Sequence, residues 1–273
     1  MTRIGRRLPN GWRDALLQIA LWGVADLLYE GVRGLVVGHG DVALANARTL
    51  VSLERSLHIF WETHVQSLIL GHDTLTEAAN WLYLNVQFTV NALFLAFLYA
   101  FRNDIFYFVR NMFFVAMGLA LIVHLAFPVA PPRLLPSLGF VDTVHQVGHI
   151  NQDTGAVSLF VNPYAAVPSM HTCFALLVGV TAMRLFSRRW LRALALAYPL
   201  LVVFVIVVTA NHFFLDAVAG AVTALVAAFI AHHVMARARP AAWAWPKVAV
   251  AHAQPVGAVI GVPATAARAE PTR

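Results

Sequence analysis

Six stretches of this chain are apolar over roughly the length of a bilayer span, and that property limits its fold more than any other. They run 16–37, 78–101, 109–127, 168–186, 191–209 and 213–235. A helix crossing the hydrocarbon layer needs about 20 mainly apolar residues. No backbone polar group can stay unpaired there, which leaves helices or closed barrels. The spacing predicts an all-α integral membrane protein, a six-span helical bundle. Composition agrees: 60% of the 273 residues are hydrophobic and 12% charged, whereas soluble domains carry about a quarter charged residues.

The first stretch is the most polar, being interrupted by Asp26, Glu30 and Arg33. At helical spacing these share one face, where they can pair with each other or point into the bundle. The basic residues 1–15 before it resemble the start of a signal peptide. The hydrophobic stretch that follows is too long and too charged for one and lacks a clear small-residue cleavage site, so it reads as an uncleaved first span.

Basic residues orient the bundle. With the N-terminus in the cytoplasm, fifteen of the nineteen Lys and Arg lie on the inner side. Only Arg33, Arg48, Arg55 and Arg133 lie with the first span or outside. Both termini are expected in the cytoplasm of a multi-pass cell-membrane protein. The catalytic unit is expected over 16–236, with outer loops at 38–77 and 128–167. The Ala- and Pro-rich tail 237–273 has no clean periodicity and is expected to be a disordered cytoplasmic extension. The net charge of +6 comes with no basic stripe or zinc pattern, which argues against nucleic acid. Cys173 is the single cysteine, so there is no disulfide framework or thiolate metal site, and it reads as a small core residue.

Within the first outer loop, residues 41–70 place Val42, Ala45, Thr49, Leu53, Leu57, Phe60 and Leu68 on one face and Arg48, Arg55 and Glu62 on another. That pattern predicts an outer amphipathic helix, lying at the interface or packed on the bundle.

Three polar groups fall on the outer side although they are far apart in sequence: Ala130-Pro-Pro-Arg133, Pro168-Ser-Met-His171 and Asn211-His-Phe-Phe-Leu-Asp216. Pro168 and Ser169 read as a helix start, where free N–H groups and the helix dipole favour an anion such as phosphate. His171 falls in that first turn. His212 and Asp216 are four apart on one helix face, so the carboxylate can fix the imidazole tautomer and leave the other nitrogen free to attack. Arg133 offers a planar fork to phosphate oxygens. These residues suit phosphoryl transfer, with one histidine as nucleophile and the other as acid and base.

Pro-Ser-x-His, followed roughly forty residues later by His-x-x-x-Asp, resembles the type 2 phosphatidic acid phosphatase superfamily. The Ala-Pro-Pro-Arg loop, the Asn-Pro-Tyr before Pro-Ser-Met-His and the Asn-His before Asp216 resemble one branch of it, the inositol phosphorylceramide synthases and their bacterial relatives. The resemblance covers 41–236. It implies a six-span bundle acting on a lipid phosphate without a metal or other cofactor, through a phosphohistidine. By it, His212 is the nucleophile, Asp216 its orienting partner, and His171 the group that protonates the leaving group and then deprotonates the incoming water or alcohol.

Departures from the wider superfamily are specific. The first motif has Arg133 without a lysine, Ile206 stands where an arginine is usual, and Met170 stands where phosphatases commonly have glycine. Fewer cations then hold the phosphate, and Ser169, Asn211, Arg48, Arg55 or backbone donors are candidates to supplement Arg133. His124 reads as a satisfied bundle contact, and His232 and His233 lie at the wrong end. His145 and His149 are four apart but lack a third ligand at metal spacing.

Hydrolysis to water and transfer to a lipid alcohol use the same residues, so both stay open, as does the oligomeric state. A non-enzymatic transporter or cofactor-binding bundle is the alternative from another class. It calls for ionisable residues spread through the bilayer depth, whereas here they gather at one end.

Overall fold

The computed structural model describes residues 8–34, 40–144 and 164–235. Among them are eight α-helices and no strand: α1 (Gly11–Gly34), α2 (Gly40–Ser56), α3 (Glu62–Ser67), α4 (Asp73–Phe101), α5 (Asn103–Ala126), α6 (Met170–Leu185), α7 (Arg189–Val208) and α8 (Phe214–Ile230). A π-turn over Ala231–Met235 extends the last. The expectations placed on the basic residues 1–7, on His145 and His149, on Asn162, and on the tail from 236 lie outside the described residues, as does the side chain of Arg33.

Helices α4, α5 and α7, and α8 with its π-turn, are long and apolar enough to cross a membrane, while α6 is apolar but only 16 residues long. Large apolar side chains such as Leu93, Leu200, Leu225 and Phe229 stand more than half exposed around the bundle, a surface that water would not tolerate at this extent. The chain is a helical membrane protein with four candidate spanning helices among the described residues. Helix α1 matches α5 in length but carries Arg13, Asp14, Asp26 and Glu30.

Two helices begin earlier than hydropathy predicts: α4 at Asp73 rather than 78, and α5 at Asn103 rather than 109. Their polar first turns lie outside the apolar stretches, with Asp73, Thr74 and Asp104 exposed and Thr76 buried. Thr76 donates to the Ile69 carbonyl. Arg110, counted above among the flanking cations, is buried in α5 and donates to Gln18 and Asn111. At the same end, Tyr99 and Tyr107 both donate to the Asp14 carboxylate.

Segment 41–70, expected as one amphipathic helix, is two helices. His58 adopts a left-handed φ of 59°, and the Ile59 N–H bonds back to the Glu54 carbonyl, closing α2. The buried side of this pair carries Ala43, Ala47, Val51, Glu54, Glu62 and Gln66, while Val42, Leu53, Leu57 and Leu68 are about half exposed. The apolar stripe therefore points away from the protein, and two glutamates point in.

Close helix approaches set the geometry beneath the site. Gly179 of α6 lies so near α7 that an added Cβ would fall 2.6 Å from the Ala195 carbonyl oxygen. Pro199, four residues on, has no N–H for that carbonyl. Gly220 of α8 lies against the chain just before α6, where an added Cβ would sit 2.3 Å from the Ser169 carbonyl oxygen. Small residues at such crossings let backbones pack directly.

Candidate active site

The helices alternate in direction, so the end of α5, the start of α6, the end of α7 and the start of α8 meet at one end of the bundle. An isolated parallel bridge joins Val129 to Ala165, and the Ala130 N–H bonds to the Ala43 carbonyl of α2. His124, buried in α5, bonds through Nδ1 to the Val167 carbonyl and through Nε2 to the Tyr29 hydroxyl. A carbonyl can only accept, so Nδ1 carries the proton and Nε2 accepts from Tyr29. His124 is thus the satisfied bundle contact its place in the third apolar stretch predicted, and it anchors the approach to Pro168.

Ser169 is fully buried and caps α6, its Oγ accepting from the Thr172 N–H at 3.4 Å. Its own N–H bonds to the Asp216 carbonyl at 3.0 Å, tying the start of α6 to α8. Ser169 therefore serves the helix start, and Met170 and His171 of that first turn line the cavity described below. Tyr83 of α4 stacks on the His171 ring, with centroids 4.6 Å apart and planes 21° from parallel.

His212 follows a tight reversal after α7. Ala210 takes a left-handed φ of 52°, and the N–H groups of Asn211 and His212 both bond to the Ile206 carbonyl. For an L-residue this backbone state costs roughly 1 kcal/mol. It turns Asn211 and His212 towards α6. Asp216, buried in the first turn of α8, accepts through Oδ2 from the His212 Nδ1 at 3.2 Å and the Phe213 N–H at 2.9 Å. That geometry holds the Nδ1–H tautomer and leaves Nε2 as the basic nitrogen. Burial pushes His212 down to about 4; a hydrogen bond with the Ala166 carbonyl opposes this and the Arg133 charge adds to it. The imidazole is a free base at neutral pH. The His171 and His212 ring centroids lie 5.6 Å apart.

Arg133 stands in a 3₁₀ turn, Pro132–Leu134, whose N–H at Arg133 bonds to the Ala210 carbonyl. Its guanidinium donates through Nε to the Asn211 Oδ1 and through a terminal nitrogen to the Asp142 carboxylate, both at 3.0 Å. Asn211 thus aims the arginine fork, while its amide nitrogen donates to Thr209. Asp142 is held by its neighbours: Gln66 exchanges two hydrogen bonds with the Val141 backbone, and Asn80 exchanges two with Thr143. Arg48 and Arg55 do not line the cavity, and Arg55 lies over the Phe60 ring.

Arg133, His171, Asn211 and His212 converge on one cavity of about 360 Å³. Asp26 and Glu30 of α1 and Gln87 and Asn91 of α4 also line it. Tyr83, Asp142 and Glu54 belong to the site or its support and were not singled out from the sequence, and Glu62, which also supports it, was read there only as part of a polar helix face. The partners of Tyr83, Glu54 and Glu62 are remote in sequence, and Asp142 meets Arg133 across an irregular loop, so no helical spacing reveals them.

A protein-family model described as the PAP2 superfamily matches residues 48–230. Searches of curated proteins and of solved structures returned no match. The matched span contains Arg133, Ser169, His171, Asn211, His212 and Asp216, and it covers most of the chain. The chain belongs to the PAP2 superfamily.

Proposed function

We propose that this protein is a membrane enzyme transferring a phosphoryl (or phosphoinositol) group from a lipid phosphate ester, through a phosphohistidine, to water or an alcohol. Superfamily membership suggests phosphatase or phosphotransferase activity on lipid phosphates. The observation that carries the finer reading is one cavity holding a free-base His212 oriented by Asp216, a facing His171 and the Arg133 fork.

In the proposed first step, the His212 Nε2 attacks phosphorus, an N–P bond forms and the P–O bond to the leaving alcohol breaks. His171 gives that oxygen a proton. Water or an alcohol then attacks phosphorus and loses its proton to His171, and the N–P bond breaks to restore His212. The Asp216 carboxylate offsets the positive charge gained by the His212 ring. Arg133 and the first-turn N–H groups of α6 offset charge on the phosphoryl oxygens. Nucleophile, acid–base group and cation all come from side chains, so the reaction is proposed to run without a metal.

Four spanning helices are joined in this proposal by α1 and α6, giving six, with both termini in the cytoplasm and the cavity at the outer face of the cell membrane. The bias of basic residues supports that orientation. Asp26, Glu30, Gln87 and Asn91 in the cavity lining favour transfer over hydrolysis, because their oxygens suit a hydroxyl-bearing group beside the phosphate.

Purified protein in detergent should be given several lipid phosphates, with and without inositol or lipid alcohols, and free phosphate and new lipids measured. Phosphate alone supports hydrolysis, and a new phospholipid supports transfer. Full activity in His212→Ala or His171→Ala, or activity lost to a chelator, overturns the mechanism.

A further inference from the structure

Glu54 of α2 and Glu62 of α3 are fully buried, yet no cation is bonded to either among the described residues. Each spends one oxygen on the first turn of α8. Glu54 Oε1 accepts the Leu215 N–H at 2.8 Å, and Glu62 Oε1 accepts the Phe214 N–H at 3.0 Å. With Asp216 on the Phe213 N–H, three consecutive backbone donors at this helix start are taken by three carboxyl groups. The N-terminus of α8 is therefore closed to an external anion, in contrast to α6, whose first turn lines the cavity.

The second oxygens of the two glutamates decide how the pair is built. As two carboxylates, each Oε2 is buried without a donor among the described residues. Yet the N–H groups that the two side chains accept belong to adjacent residues, Phe214 and Leu215, which brings the two carboxyl groups together. One proton between them satisfies both atoms and leaves a single negative charge on the pair, set against the partial positive charge of the helix start. The geometry points to Glu54 and Glu62 as positioning residues: a carboxyl–carboxylate pair that holds one proton, fixes the first turn of α8 and thereby sets the His212–Asp216 pair opposite His171. Consistent with this, burial and then the bond to Glu62 push the Glu54 carboxyl up to about 9, against the opposing pull of the Leu215 N–H. The nearby Glu62 and Asp216 charges act in the same upward direction.

The inference rests on the proposed reaction for its consequence but not for its geometry, and the test separates the two. A glutamine reproduces a protonated glutamate: one oxygen for the backbone N–H and a donor for the partner. Either single change, Glu54→Gln or Glu62→Gln, should therefore keep kcat within about threefold of wild type, since the pair needs one donor. The double Gln variant sets donor against donor. It should lose at least about tenfold in kcat with little change in KM, as should Glu54→Leu and Glu62→Leu, which strand a buried N–H.

Amide hydrogen exchange at Phe214 and Leu215 reads the clamp without any substrate. It should quicken about tenfold or more in the double Gln and Leu variants and stay near wild type in the single Gln variants. If no lipid phosphate is turned over, the exchange rates still decide the clamp, and the failure counts against the proposed reaction alone. Should the Leu variants fail to fold, single against double Gln decides. The inference is overturned if the single Gln variants are as impaired as the double, or if folded Leu variants keep wild-type kcat and exchange.

Discussion

His171 and His212 lie beside one another with ring centroids 5.6 Å apart and planes tilted by 60°, close enough for both rings to reach one phosphoryl group bound next to them. The two rings have separable tasks, and the choice of substrate exposes the difference. With an aryl phosphate, whose leaving group departs without a proton, His171→Ala should still form an acid-labile phosphoprotein and accumulate it. His212→Ala should form none. On a lipid phosphate both should lose about 10³-fold or more in rate. The measurement is trapping of radiolabelled phosphate on the protein by an alkaline quench, with loss of the label on later acid treatment.

Asp216→Asn can keep an oxygen where Oδ2 accepts from both the His212 Nδ1 and the Phe213 N–H, but it removes the negative charge that offsets the His212 ring as it becomes positive. The rate should fall by about 10²-fold or more, with helix content by circular dichroism unchanged.

Asn211 bonds to Arg133 and not only to its own turn. Asn211→Leu should release the guanidinium, raising KM for the lipid phosphate about tenfold while kcat falls less. Arg133→Lys should be worse, since a lysine cannot satisfy Asn211 and Asp142 and also present a fork to phosphate.

Gly220→Ala places a methyl group 2.3 Å from the Ser169 carbonyl oxygen, a backbone atom that cannot swing aside. Separating α8 from the start of α6 should reduce stability by about 1–3 kcal/mol. It should also widen the gap between the histidines, so activity per folded molecule should fall as well. Thermal melts in detergent and specific activity together check this.

The low pKa of His212 makes stability depend on pH. The unfolded chain takes up a proton at this residue below about 6.5, while the folded protein resists it until about 4. This stabilisation is whole above 6.5 and is lost as pH falls to 4, on the order of 3 kcal/mol in total. Melting temperature between pH 7 and 4 should drop more steeply for wild type than for His212→Gln.

The histidine motifs were legible because their logic is local. Pro168 and Ser169 announce a helix start, and His212 and Asp216 share a face by a spacing of four. Glu54 and Glu62 had no such signature, because the N–H groups they accept lie 161 and 152 residues away. Asp142 was hidden for a related reason: two amide side chains from other helices hold its loop. The break between α2 and α3 gave no warning because the left-handed position is occupied by His58 rather than glycine. The apolar stripe on α2 faces outward because the rule that apolar faces turn inward assumes water outside.

Helix α6 has 16 residues, about 24 Å of rise at 1.5 Å per residue. As a span it falls about 6 Å short of a hydrocarbon layer about 30 Å thick. Such a mismatch is relieved by thinning the surrounding leaflet or by drawing the helix end below the headgroup level. His171 occupies that end, so either response lowers the distance a lipid phosphate must climb to reach it. On the proposed six-span reading, the short helix would bring the membrane surface to the histidines instead of lifting the lipid out to meet them.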